Sequence, residues 1–237
     1  MHLSRWKKSA VIGTTAVAAA GLLTATIMGA QGATSAQRAG TSGHVTHATL
    51  HALNNSGVTG GADVIVRNGR LEVDLKGRHL LKGMPHAEHI HFGAKAAHEC
   101  PTVADDSNAD HRLNTAEGLP KYGPVRVSLT TSGDTSAKSV LAVDRYPTAP
   151  NGKIHYNRKG IKVSPRVARG IKRGNAVLVI HGIDYNGNGK YDFSAGKSEL
   201  DPTLPAEATD PVTCGVLKVV TNASGSPVPL PALTGKN

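Results

Sequence analysis

The chain has 237 residues and carries 27 Lys and Arg against 17 Asp and Glu, which gives a formal net charge of +10 at pH 7. Aromatic residues make up only 3 % of the chain, so its core must be built from Val, Leu, Ile and Ala, a composition typical of β-rich domains. Few aromatic side chains are available for base stacking, and the sequence contains no recognition motif, so nucleic acid is excluded as an expected partner despite the positive charge.

Residues 1–36 have the pattern of an export signal. Arg5, Lys7 and Lys8 precede an apolar stretch, and small residues follow it. The apolar stretch is close to the ~20 residues that span a bilayer, so an uncleaved membrane anchor is the alternative interpretation. We expect a secreted or cell-surface protein that has no membrane contact once the signal is removed.

Composition divides the remaining chain into a linker, one domain and a tail. Residues 37–46 include a Gly- and Ser-rich stretch and predict a flexible linker, whereas residues 221–237 are rich in Pro, Ser and Gly and predict a disordered tail. Residues 47–220 are expected to form a single domain.

The most specific strand signal is a β-hairpin near the start of this domain. Asn68-Gly69 supplies the two positive-φ residues of a type I′ turn, and it joins residues 62–67 to residues 70–75. In the second of these strands apolar and polar residues alternate, which predicts one buried and one solvent-exposed face.

Further short strands follow along the chain. They are predicted at residues 48–53, 88–92, 125–129, 139–143, 153–156, 176–181 and 215–220. One short helix is predicted after Ser164, because Ser164 can cap it, Pro165 suits its first position, and Gly170 or Gly174 can end it. This count of strands indicates an all-β sandwich or barrel of about eight antiparallel strands.

The run His86-Ala-Glu-His89-Ile-His91 is the strongest functional signal in the sequence. Alternate side chains of a strand leave the same face, so His89 and His91 project together. His181 ends the most apolar strand and is the expected third ligand. Three neutral imidazoles on rigid strands suit copper or zinc and leave one position open for exchange of ligands or electrons. His86 is expected to support this site without binding the metal.

Cys100 and Cys214 are the two cysteines of the chain. The oxidising environment of an exported protein favours a disulfide between them. A pair of buried free thiols is the alternative.

Several of these segments together resemble copper/zinc superoxide dismutase. They are Gly83-Met-Pro-His86-Ala-Glu-His89-Ile-His91-Phe92-Gly93 with the following Cys100, the strand that ends at His181, and Cys214-Gly215-Val216. Their order and local spacing match that family over roughly residues 47–220. The resemblance implies a Greek-key β-barrel, copper held by His89, His91 and His181, and a disulfide between Cys100 and Cys214. It also implies that copper alternates between two oxidation states and dismutates superoxide into oxygen and hydrogen peroxide.

Two positions depart from the pattern of that family. After its first cysteine the family has several zinc-binding histidines and an aspartate, whereas this chain has His111 alone, so a standard zinc site is not expected. His111 is instead a candidate fourth ligand of copper. The arginine that guides superoxide in the family lies three residues before the second cysteine, where this chain has Pro211. A copper-only or degenerate member of the family fits this pattern better than a standard one.

Two acidic loops follow the calcium-binding template, in which oxygen ligands occupy alternate positions. The first candidate set is Asp106, Asn108, Asp110 and Glu117, with His111 where the template has Gly. The second set is Asp184, Asn186, Asn188 and Asp192, which has the Gly but lacks Glu at the twelfth position. Solvated, Asx-rich turns are the alternative interpretation of both loops.

Residues 153–173 contain eight Lys or Arg and no acidic residue. Their positive field would steer an anion such as superoxide, or hold the protein on acidic cell-wall polymers. Two functions therefore stay open at the level of sequence. One is an exported copper protein that removes superoxide, and the other is a non-catalytic, calcium-braced binding module of the cell surface with the same barrel.

Overall fold

The structure is a computed structural model that describes residues 44–221. The predicted export signal, most of the predicted linker and nearly all of the predicted tail lie outside the described residues. Within residues 44–221, no helix combines the length and the apolar character needed to cross a bilayer.

Nine strands account for most of the regular structure in this range. They are β1 (His44–Ala52), β2 (Thr59–Arg67), β3 (Arg70–Arg78), β4 (Glu88–His91), β5 (Val125–Ser128), β6 (Lys153–Lys162), β7 (Val177–His181), β8 (Pro211–Val216) and β9 (Lys218–Val219). Eight of them form one antiparallel path in the order β5-β4-β7-β8-β1-β2-β3-β6, and β9 also pairs with β1. The connections from β3 to β4 and from β6 to β7 cross between the two halves of this curled sheet, as in a Greek key. The all-β barrel class predicted from the sequence is confirmed.

The hairpin predicted around Asn68-Gly69 joins β2 to β3. Both turn residues have positive φ, 49° at Asn68 and 69° at Gly69, as a type I′ turn requires. Leu71, Val73 and Leu75 of β3 are buried and face the main core. The alternation in the sequence therefore predicts both the turn and the buried face correctly.

Three short α-helices connect the strands: α1 (Thr115–Tyr122), α2 (Pro165–Lys172) and α3 (Ala206–Thr209). The helix expected after Ser164 is α2, and the Ser164 side chain accepts a hydrogen bond from the backbone N–H of Val167. Helices α1 and α3 were not expected from the sequence, so the prediction of a single helix was wrong.

The strand predicted at residues 139–143 was also wrong, because this segment joins two 3₁₀ turns, Ala137–Ser139 and Val143–Arg145. The side chain of Ser136 caps the first turn, and the guanidinium of Arg145 binds the hydroxyl of Ser139 at 2.8 Å. The backbone N–H groups of Val140 and Ala142 donate to the carbonyls of Ala137 and Ser139, so these groups are satisfied locally and not by a neighbouring strand.

The predicted disulfide between Cys100 and Cys214 is present. It ties the long connection between β4 and α1 to the middle of β8. The main core lies inside the curled sheet, where Ile90, Leu178 and Ile180 are fully buried. A second, smaller core lies on the outer face of β7 and includes Val177 and Val179 together with Tyr122. The segments that cover this outer face also enclose the functional site.

Candidate metal centre

The pairing of β4 with β7 brings together the three histidines that the sequence predicts as metal ligands. His89 lies opposite Val179 and His91 opposite Val177, while His181 ends β7. All three rings are on the outer face of the sheet and at most 3 % exposed. One nitrogen from each ring lies within 4.8 Å of the other two, so the group has the spacing to hold a metal ion.

The orientations of two of these rings are fixed by backbone carbonyl groups. His91 donates from Nδ1 to the carbonyl of Gly123 at 2.7 Å, and His181 donates from Nδ1 to the carbonyl of Thr209 at 2.6 Å. A carbonyl oxygen only accepts hydrogen bonds, so the proton of each neutral ring is on Nδ1. The lone pair of each ring is therefore on Nε2, the nitrogen that points toward the other two histidines.

His89 is oriented by a side chain, the hydroxyl of Tyr146. This hydroxyl donates to the carbonyl of Ser139 at 2.7 Å and lies 2.8 Å from His89 Nε2. Because its own proton is engaged by Ser139, the hydroxyl accepts from His89 Nε2–H, which leaves the lone pair of His89 on Nδ1. Sequence reasoning missed Tyr146, since it lies in an irregular segment 57 residues from His89 and no spacing pattern points to it.

The three nitrogens that face one another are otherwise unsatisfied. His89 Nδ1, His91 Nε2 and His181 Nε2 are buried and have no hydrogen-bond partner among the described residues. An unpaired buried polar atom costs about 1–3 kcal/mol, so three at one point call for a shared partner. A metal ion that accepts three imidazole lone pairs satisfies all of them at once, and the residues present therefore fit a metal ion.

The electrostatics of the site also favour neutral imidazoles. Burial lowers the pKa of His91 to about 3 and the pKa of His181 to about 4. Burial, helped by the neighbouring His181 and His91, holds the pKa of His89 well below its ordinary value. All three rings are thus unprotonated near neutral pH, which is the form that binds metals.

His86, for which the sequence predicts a supporting role, lies beside the group. Its ring is buried, with Nδ1 3.0 Å from the carbonyl oxygen of His181 and Nε2 3.2 Å from that of Leu81. The hydroxyl of Tyr191 donates to the carbonyl of Pro85 and packs against the same ring. His86 therefore braces the backbone of His181 without contributing a nitrogen to the group.

His111, the candidate fourth ligand, is not brought to this site. It is exposed, and its backbone N–H donates to Asp106 at 2.8 Å. Tyr122 is closer, with its ring centroid 4.5 Å from that of His91, but its hydroxyl donates to the carbonyl of Thr115. Within residues 44–221, His89, His91 and His181 are the one group of three or more His, Cys, Asp or Glu that could hold a metal ion.

Most side-chain oxygens of the first acidic loop have other partners, although Asp106 Oδ1 is buried and has none among the described residues. Glu117 accepts from the backbone and hydroxyl of Ser107 and closes a capping box with Asn114 at the start of α1. Asp110 forms an ion pair with Arg112 at 2.9 Å. Asn108 donates to Asp110 as well. The structure thus does not gather Asp106, Asp110 and Glu117, and calcium binding at this loop stays a prediction.

The second acidic loop is a compact turn. Asp184 accepts from the backbone N–H groups of three consecutive residues, 187–189, and the amides of Asn186 and Asn188 both donate to Asp192. The buried Glu207 of α3 accepts from the backbone N–H of Asp192 at 2.7 Å. Sequence reasoning missed Glu207, which secures this loop to α3. Calcium binding here also stays a prediction.

Pro211 and the basic segment 153–173 lie in different parts of the fold. Pro211 lies opposite His181, at a register irregularity between β7 and β8. Seven of the eight basic residues in 153–173 belong to β6 and α2, Arg173 directly follows α2, and none of the eight lines the cavity above the three histidines. Comparison with protein-family models and with curated proteins found no match for this chain.

Proposed function

We propose that this protein is a copper protein in which His89, His91 and His181 bind the metal. The observation that carries the proposal is the convergence of their three unpartnered, neutral nitrogens. Imidazole nitrogen is a preferred ligand of copper, and copper forms the most stable complexes among the divalent first-row metals. Zinc also accepts three histidines, so the two metals have to be compared directly.

We further propose that the protein works outside the cytoplasm. The disulfide between Cys100 and Cys214 supports this location, because such bonds form and persist in oxidising compartments. The pattern of an export signal in residues 1–36 agrees with it.

Copper in such a site would supply one-electron redox chemistry. The protein contributes the orientation of the ligands: the carbonyls of Gly123 and Thr209 and the hydroxyl of Tyr146 hold the three rings with their lone pairs turned inward. This arrangement leaves one side of the histidine group open to a cavity, where a further ligand can approach.

Dismutation of superoxide, which the family resemblance implies, has weaker support than copper binding. No Lys or Arg among the described residues lines the cavity above the histidines, so its walls offer no positive charge to guide an anion toward the metal. The alternative function is that of a calcium-braced module that attaches to acidic cell-wall polymers. The basic segment 153–173 supports this alternative, since none of the residues in the segment lines the cavity.

Metal analysis and titration test the proposal. The protein, purified without added metal, should take up one copper ion per chain more tightly than zinc, with the spectroscopic signature of nitrogen ligands. The variant His181→Ala should lose this binding. The matched control is His155→Ala. His155 is an exposed histidine of the basic strand β6, and it pairs with Asp74 of the neighbouring strand β3.

Retention of copper by His181→Ala, or equal losses in both variants, would refute the assignment. The copper-loaded protein should then be assayed for superoxide removal. Full copper occupancy without turnover would dismiss dismutation and leave the copper site intact.

A further inference from the structure

The cavity above the three histidines has a volume of about 250 Å³. His89, His91 and His181 form its floor. Its walls are mainly apolar and include Leu119, Val140, Leu141, Val143, Leu200 and Leu204. These residues come from α1, from the segment around the two 3₁₀ turns and from the connection between β7 and α3. Three separate parts of the chain thus contribute apolar side chains to one enclosure.

The rim of this cavity is unusually apolar for a protein surface. Five large hydrophobic side chains are exposed among the described residues, and three of them, Leu119, Val143 and Leu200, line the cavity. They are 47 %, 45 % and 46 % exposed. Single exposed hydrophobic residues are ordinary, but a cluster of them around a concave opening is typical of a ligand-binding site.

The residues that line the cavity offer no charged group to a ligand. Among the described residues, no Asp, Glu, Lys or Arg lines it. The hydroxyl of Thr115 donates to the carbonyl of Thr209, and the hydroxyl of Thr209 donates to Ser198, so both are already engaged. The free polar groups are the three imidazole nitrogens on the floor. An apolar ligand would gain about 25 cal/mol for each Å² that it buries here, whereas a charged group held against these walls would pay its desolvation cost and find no compensating charge in them.

The size of the cavity limits the ligand further. An engineered apolar cavity of about 150 Å³ is sufficient to bind benzene. A volume of about 250 Å³ therefore accommodates one aromatic ring with a small substituent.

We propose that this cavity binds a small neutral organic molecule, of about the size of a substituted aromatic ring, with a donor atom directed at the metal on the histidine group. This inference rests on the proposed copper site and names the ligand class of that site. The apolar walls select the body of the molecule, and the three histidines with their metal select its single donor atom.

Two probes that share a donor test the inference. They are p-cresol, which is neutral near pH 7, and 4-hydroxybenzenesulfonate, in which a sulfonate, a charged group that binds copper weakly, replaces the methyl group. Calorimetric titration of the copper-loaded protein should show p-cresol binding at least about tenfold more tightly, which corresponds to about 1.4 kcal/mol. Binding of p-cresol should also change the electron paramagnetic resonance spectrum of the copper.

Rim variants provide a second measurement. Leu200→Glu places a charge at the rim and should weaken p-cresol binding about tenfold or more while copper affinity stays unchanged. The matched control is Val103→Glu, because Val103 is also an exposed hydrophobic residue but does not line the cavity. It should leave both affinities as they are.

Equal affinity for the two probes, or unaltered p-cresol binding by Leu200→Glu, would overturn the inference. Copper binding without any p-cresol binding would overturn it and leave the proposed function standing. If the protein binds p-cresol but takes up no copper, the proposed function is refuted. The part of the inference that directs a donor atom of the ligand at the metal is then refuted as well. The oligomeric state should be measured in parallel by sedimentation velocity. If the protein forms a dimer that binds no p-cresol, and if Leu200→Glu dissociates this dimer, the rim is a contact between two copies of the chain. That result would also overturn the inference.

Discussion

Replacing Tyr146 with Phe should weaken copper binding although no ligand is removed. The hydroxyl of Tyr146 accepts from His89 Nε2–H at 2.8 Å while donating to Ser139. Without this acceptor, the His89 ring is free to carry its proton on Nδ1, the atom that the metal needs. Copper binding by Tyr146→Phe would then have to include the cost of moving the proton back and of reorienting the ring.

The size of this effect follows from the kind of contact that Tyr146→Phe removes. Removing a group that orients a metal-binding histidine typically lowers metal affinity by about 10–100-fold, or about 1.4–2.8 kcal/mol. The metal-free fold should be affected too, because the buried N–H of His89 and the carbonyl of Ser139 both lose a partner. Each such loss costs about 1–3 kcal/mol, so the metal-free variant should also unfold at a lower denaturant concentration.

Competition titration against a copper chelator of known affinity is the appropriate assay. The matched control is Tyr156→Phe, since Tyr156 is also buried and donates its hydroxyl to a backbone carbonyl, that of Thr130, away from the histidine group. Tyr156→Phe should lose stability but keep its copper affinity. Unchanged copper affinity in Tyr146→Phe, or equal loss of copper affinity in the two variants, would refute the role assigned to this hydroxyl.

Three further outcomes can be measured by denaturant unfolding. Replacing Cys100 and Cys214 with Ser should cost about 5 kcal/mol of stability, because the bridge spans 114 residues; a much smaller loss would show that the unfolded chain is already compact. The metal-free protein should lose stability as the pH falls from about 6.5 toward 4, by up to about 1.4 kcal/mol per pH unit for each histidine. The sign follows because burial lowers the pKa of His91 to about 3 and that of His181 to about 4, so the unfolded chain binds protons first; a flat profile would contradict this. Burial raises the pKa of Glu88 well above its usual range, and both its carboxyl oxygens lack a partner in residues 44–221. Glu88→Gln should therefore stabilise the protein at pH 7 by up to about 3 kcal/mol. A gain in stability that persists at pH 4 would disprove that reasoning.

The grouping of the three candidate ligand histidines could be predicted from the sequence because their signal is local. Alternation in a strand places His89 and His91 on one face, and the apolar strand before His181 identifies it as a central strand of the same sheet. Strand pairing then brings the three rings together. The groups that orient the rings carry no such signal, since two of them are backbone carbonyls, of Gly123 and Thr209, and any residue type can supply a carbonyl.

The segment that became α1 shows how one local pattern can indicate two structures. Asn114-Thr-Ala-Glu117 satisfies the capping box of a helix, and Glu117 also falls at the last position of a calcium loop. Gly118 and Pro120 reduce the helix propensity of the residues that follow, so the helix was not predicted. Tertiary contacts favour the helix, because its buried Tyr122 packs in the smaller core against β7.

The three histidines come from two distant parts of the chain, and this separation determines when during folding they can come together. His89 and His91 lie on β4, and His181 follows about 90 residues later on β7, so the site does not exist until these two strands have paired. Pairing across such a separation is a slow step in folding, because the entropy of closing a long loop is lost before the contacts form. Copper uptake during refolding should therefore lag behind formation of the β2–β3 hairpin, and its rate should report the time at which the two halves of the sheet join.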